Sequence, residues 1–105
     1  MTKDELRTIV LDVIFGKVPV TYTPTQFVHL TIGVAETIRR RQGLQPTPHD
    51  PGVQLTPPEC LVVNEIFWDL IAERVITPGV NASNLELPWF RLHSEAKTNL
   101  ERTHS

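Results

Sequence analysis

The chain is short of cysteine, of clustered glycine and of surplus positive charge, and each shortage excludes something. Cys60 is the one cysteine in 105 residues, so no disulfide forms within the chain and a disulfide-stapled scaffold is excluded. The five glycines are scattered and never make the run that cradles a phosphate. Ten Lys and Arg stand against twelve Asp and Glu, a formal net charge of −2, whereas a domain that draws its affinity from phosphates is clearly basic. No apolar run approaches the ~20 residues that cross a bilayer. The opening Met1-Thr2-Lys3-Asp4-Glu5 carries acids, unlike the basic and then apolar order of a secretion signal. Together these features point to a reducing, cytoplasmic setting, in which the Asn81-Ala82-Ser83 glycosylation triplet is idle.

What is present is the composition of an ordinary globular protein, with hydrophobic residues at 40% and charged residues at 21%. A chain of 105 residues forms one domain and buries roughly 65% of its unfolded surface. Three segments announce helices by one device, a hydroxyl N-cap with Glu or Gln three residues on: Thr2 with Glu5, Thr23 with Gln26, Thr56 with Glu59. Pro24 and Pro57 then sit at the first helical position, where a missing N–H costs nothing. The first helix is predicted over about Lys3 to Phe15, with Leu6, Ile9, Val10, Val13 and Ile14 inward and Gly16 as its stop. A short edge strand is predicted at Val18 to Tyr22, confined by Pro19.

The second helix, about Pro24 to Arg41, carries Phe27, Leu30, Val34 and Ile38 on one stripe and Val28, Ile32 and Ala35 beside it. That is an apolar arc of roughly 200°. The second stripe either packs within the domain or docks a partner chain. A Pro-rich stretch from Leu44 to Thr56, with Pro57 and Pro58 beyond, is a loop that cannot be helical. The third helix, about Pro57 to Arg74, centres on Val63, Ile66, Phe67, Leu70 and Ile71, flanked by Leu61, Val62, Trp68 and Ala72, and reads as the core helix. A hairpin follows, from Val75-Ile76-Thr77-Pro78-Gly79 through an Asn- and Ser-rich loop to Leu87-Pro88-Trp89-Phe90-Arg91-Leu92. Residues 94–105 read as a polar tail, or the start of a further helix, capped at Ser94.

The order helix, short strand, helix, helix, hairpin resembles that of winged-helix domains over residues 1–93, with the Pro-rich loop 44–58 inside it. The fold class expected is therefore mainly α with a small β-hairpin around a three-helix core, in the order α-β-α-α-β-β. The resemblance implies double-stranded DNA binding, with the helix before the hairpin in the major groove and the wing, Thr77 to Leu87, on the backbone or minor groove.

The residues carried over to those surfaces are poorly equipped for DNA. Glu65, Asp69 and Glu73 recur at i, i+4 and i+8 on the third helix, a line of carboxylates that phosphates repel. It reads either as a solvated face or as a docking strip for a basic protein surface. The wing from Pro78 to Glu86 holds no Lys or Arg, and its Asn81, Ser83 and Asn84 are the residues a turn selects for itself. Basic residues gather instead at Arg39-Arg40-Arg41, where they complement the helix dipole. With His29, Arg91 and Lys97 they are the candidates for gripping nucleic acid, and a dimer would juxtapose two such clusters.

Catalysis finds little support. His29, His49, His93 and His104 are scattered, without a helical pair or a cysteine beside them, and His49-Asp50 is the one His-acid neighbour. No metal, cofactor or small-molecule substrate is indicated. Two function classes remain. One is a non-enzymatic module that binds a partner protein or its own copy through Glu65, Asp69, Glu73, Val28, Ile32, Ala35 and Trp89. The alternative is a DNA-binding regulator that uses the arginine cluster.

Overall fold

Thr2 opens the first helix as its capping pattern requires. In the computed structural model, which describes residues 2–43 and 55–104, the Glu5 backbone N–H donates to the Thr2 hydroxyl at 3.1 Å. The Thr2 N–H donates in turn to the Glu5 carboxylate at 3.3 Å, and α1 follows over Lys3–Ile14. The bonds from Thr2, backbone first and hydroxyl second, hold the Glu5 carboxyl below its ordinary range. This cap is therefore complete above the ordinary carboxylate pKa, and its contribution is lost as pH falls through the lowered folded value. The same box, Thr56 with Glu59 and with Pro57 in the first turn, opens α3 over Pro57–Ala72.

The third expected box does not form. The second helix, α2, spans Phe27–Arg41, and its N-cap is the extended Gln26, with no side-chain cap bond. The backbone of 25–27 is engaged elsewhere: Phe90 N–H donates to Thr25 O at 3.0 Å and Phe27 N–H donates to Pro88 O at 3.1 Å. Pairing with the hairpin thus displaces the helical first turn that Thr23 and Pro24 would have begun.

The hairpin consists of β1, Ile76–Pro78, and β2, Phe90–Leu92, antiparallel with Ile76 opposite Leu92, Thr77 opposite Arg91 and Pro78 opposite Phe90. The strand expected at Val18 to Tyr22 is absent; an isolated bridge from Gln26 to Trp89 takes its place against the hairpin. Side chains fasten the 18–22 segment instead. Glu36 on α2, only 3% exposed, accepts from the Thr21 hydroxyl at 2.6 Å and from its N–H at 3.2 Å. Arg40 donates to Pro19 O at 2.6 Å. Proline at 19 supplies no N–H to a ladder, and these contacts need none.

α1 packs against both α2 and α3, so the central helix is α1 rather than α3. Its Leu6, Ile9, Val10, Val13 and Ile14 are all buried, facing Leu30, Val34 and Ile38 of α2 and Val63, Ile66, Phe67 and Leu70 of α3. Phe67 joins the layers: its ring meets Phe27 and Phe90 edge-on, each at a centroid distance of 5.2 Å. Leu61, Trp68 and Ala72, expected to flank this core, lie on the exposed side of α3 instead. Among the described residues no helix is long and apolar enough to cross a membrane.

α3 passes to β1 through a left-handed residue. Arg74 stands at φ 59°, with its N–H on Ile71 O at 3.1 Å and the Val75 N–H on Leu70 O at 2.9 Å. These are the two bonds of a Schellman ending. α1 ends in the same way, but with Gly16 at φ 71° in the left-handed position. The segment read as a polar tail or the start of a further helix forms α4, Ala96–His104, which turns back so that Ala96 is buried and the Asn99 side chain donates to Arg74 O at 2.9 Å. The His93 ring, not Ser94, accepts the Glu95 N–H at its start. His49, Asp50 and the prolines at 46, 48 and 51 fall in 44–54, outside the described residues.

The backbone geometry predicts opposite signs at two positions. Arg74→Gly relieves a side chain in the left-handed region and is expected to raise the unfolding free energy by about 1 kcal/mol. Gly79→Ala adds a Cβ 2.7 Å from Leu85 Cα and O at φ 91° and is expected to lower it by roughly 2 kcal/mol or more. Urea titration of both variants measures the difference.

Candidate functional site

The acidic line on α3 is partly spoken for by α1. Glu73 faces Arg7, whose two terminal nitrogens donate to its two oxygens at 2.9 and 3.1 Å, with the side chains only 15% and 20% exposed. It is an internal fork, not the solvent-facing end of a docking strip, because one turn past Asp69 the helix surface has rotated toward α1. Asp69 lies 3.2 Å and Glu65 4.0 Å from Lys3 Nζ, and both remain largely in solvent.

Beside those two acids lies apolar surface, where the composition of α3 predicts core. Leu61 is 70% and Trp68 52% exposed, and Ala72 is exposed with them. Positions 61, 65, 68 and 72 advance by four, three and four residues, so Leu61, Glu65, Trp68 and Ala72 share one helix face. That spacing was present in the sequence. It was obscured because α3 is apolar nearly all round, which ordinarily marks a helix buried on every side. The indole of Trp68 rests against Phe67, edge-on at a centroid distance of 6.4 Å.

The second stripe of α2 does not form one surface. Ala35 is buried at 4% exposure and Val28 exposed at 52%, while Ile32 lies between. Trp89 is half-buried and bridges to Gln26. The protein-binding candidates are therefore not brought together: Glu65 and Asp69 stand on one helix face, Glu73 turns to α1, and Ala35 is inside.

The basic candidates are likewise dispersed, and most grip the chain itself. Arg40 lies 3.8 Å from Glu36 in addition to its bond to Pro19 O. Arg41 reaches Asp12 of α1 at 3.6 Å, and Arg39 is half-buried. His29 stacks on Tyr22, ring centroids 5.2 Å apart and planes within 13°. Arg91, on β2, donates to Pro78 O at 3.0 Å and to Gly79 O at 2.9 Å, so it ties the start of the hairpin loop to the second strand. Lys97 is exposed on α4. In the loop between β1 and β2, the Asn81 side chain accepts the N–H groups of Ser83 and Asn84 at 2.9 and 3.0 Å, so it closes its own turn.

A cleft of about 380 Å³ opens between the end of α1, the 20–25 segment and the hairpin, lined mainly by Val13, Phe15, Val20, Val80, Phe90 and Leu92. Its one titratable lining side chain is Arg91. Among the described residues, no three His, Cys, Asp or Glu side chains gather around a common point. The chain matches no family model, no curated protein and no solved structure.

Arg40→Ala strips a donor from Pro19 O and a charge from the buried Glu36, and is expected to cost about 1 kcal/mol. Lys97→Ala is expected to stay within about 0.5 kcal/mol of the parent. Thermal melts of the two variants compare an arginine that holds the fold with a lysine that does not.

Proposed function

We propose that this protein is a non-enzymatic interaction module of winged-helix type that binds a partner protein, in a reducing, cytoplasmic setting. The element order supports the winged-helix reading: two helices joined across the 18–22 segment, then α3, then a hairpin. One observation carries the function. The exposed face of α3, the helix that enters the groove in DNA-binding members of such a fold, presents Leu61 and Trp68 beside Glu65 and Asp69. Apolar and aromatic surface ringed by charge suits a protein partner. The same acids repel phosphates, and three of the arginines that a DNA-binding regulator would use, Arg40, Arg41 and Arg91, are engaged at Pro19 and Glu36, at Asp12 and at the hairpin carbonyls. A single cysteine, unable to pair within the chain, agrees with the reducing setting.

Two measurements check this reading. Fluorescence anisotropy of labelled random duplex DNA is expected to show no saturable binding at low salt; micromolar binding that weakens steeply with added salt would move the DNA-binding regulator to first place. Cross-linking in extract is expected to trap a protein with the parent chain and to lose it with Leu61→Ala/Trp68→Ala at unchanged melting temperature. Equal trapping by both would exclude this face.

A further inference from the structure

The chemistry of the partner is limited by the α3 face itself. Lys3 stands within 3.2 Å of Asp69 and 4.0 Å of Glu65, yet the three side chains stay 50%, 49% and 64% exposed. Two carboxylates sharing one half-exposed ammonium leave negative charge unbalanced beside Leu61 and Trp68. A second copy of the chain is a poor occupant, because a two-fold interface sets the same patch against itself. α3 against α3 would bring Glu65 and Asp69 onto their own counterparts. Arg40 at the end of α2 does not serve either, being held at Pro19 and Glu36.

We propose that this face receives a cationic amphipathic helix of a partner protein. The apolar stripe of that helix covers Leu61, Trp68 and Ala72, while its Lys or Arg side chains replace Lys3 at Glu65 and Asp69. A helix fits because Leu61, Glu65, Trp68 and Ala72 form a ridge of about three turns, the element that packs into the groove of another helix. Lys3 already shows which ligand the two acids accept, and its half-exposed side chain is free to swing aside. Covering Trp68 excludes water from the acids and strengthens their pairing with the incoming cations. The inference rests on the protein-interaction reading and adds the charge and shape of the partner.

The test uses the full chain and a labelled synthetic peptide with Leu at i, i+3, i+4 and i+7 and Lys on its flanks. Two controls accompany it, one with Glu in place of Lys and one a scramble of the Lys peptide. Anisotropy is expected to show binding of the Lys peptide in preference to both controls. Glu65→Gln/Asp69→Asn and, separately, Trp68→Ala are each expected to weaken it by more than roughly tenfold. Lys3→Gln, which removes the internal competitor, is expected to tighten it by roughly threefold. Thermal melts confirm that each variant is folded.

Binding unchanged by Glu65→Gln/Asp69→Asn, equal binding of the scramble, or no binding of the Lys peptide overturns the proposal. The Glu peptide binding instead, in a manner lost with Trp68→Ala, overturns the cationic chemistry while leaving a protein-docking face. If no peptide binds but trapping in extract still depends on Leu61 and Trp68, the interaction reading stands and this inference fails.

Discussion

One amphipathic helix must satisfy two neighbours, and that constraint organises the molecule. α1 has a single buried stripe, Leu6, Ile9, Val10, Val13 and Ile14, and packs it against both α2 and α3. Charged pairs lie along both of its flanks: Arg7 with Glu73 and Lys3 with Asp69 toward α3, and Asp12 with Arg41 toward α2. The exposed pairs add little to stability. The Arg7–Glu73 fork, with both side chains mostly withdrawn from water, is the one whose loss leaves a charge poorly solvated. The site depends on this arrangement, because the same contacts that seat α1 on one flank of α3 decide which flank stays open.

The open flank carries the functional argument. α3 is rich enough in apolar residues to be covered all round, yet Leu61 and Trp68 remain in water. The hairpin is anchored on the opposite side, through Phe90 on Phe67 and through the backbone of 25–27. With α1 and the hairpin committed to the buried side, no described element covers Leu61, Glu65, Trp68 and Ala72. Of the arginines of α2, which looked like the outward-facing chemistry of the chain, Arg40 fastens the 18–22 segment and Arg41 reaches back to Asp12 of α1.

How far the sequence foretold this differs from element to element. Helices α1 and α3 were legible because their capping boxes are local and nothing competes for the same backbone groups. The start of α2 was not, because the hairpin, some sixty residues away, takes the Phe27 N–H and Thr25 C=O that the first turn of a helix begun at Thr23 would have used. The 18–22 strand failed for a related reason: side chains of Glu36 and Arg40 meet its polar groups, and no pattern within the segment reveals that. For the site, the acids Glu65 and Asp69 were placed correctly on an outer line. Trp68 and Leu61 were not, because burial was inferred from hydrophobicity where helical spacing from Glu65 pointed the other way.

Everything proposed for α3 depends on Trp68 standing in water on an acidic helix face. That exposure is tested most directly by fluorescence quenching of a Trp89→Phe variant, in which Trp68 is the only remaining indole. Caesium, drawn by Glu65 and Asp69, is expected to quench its emission more effectively than iodide, and the preference is expected to shrink as salt rises. A blue-shifted emission that neither ion quenches would mean that Trp68 is buried, and the proposed docking face would not exist.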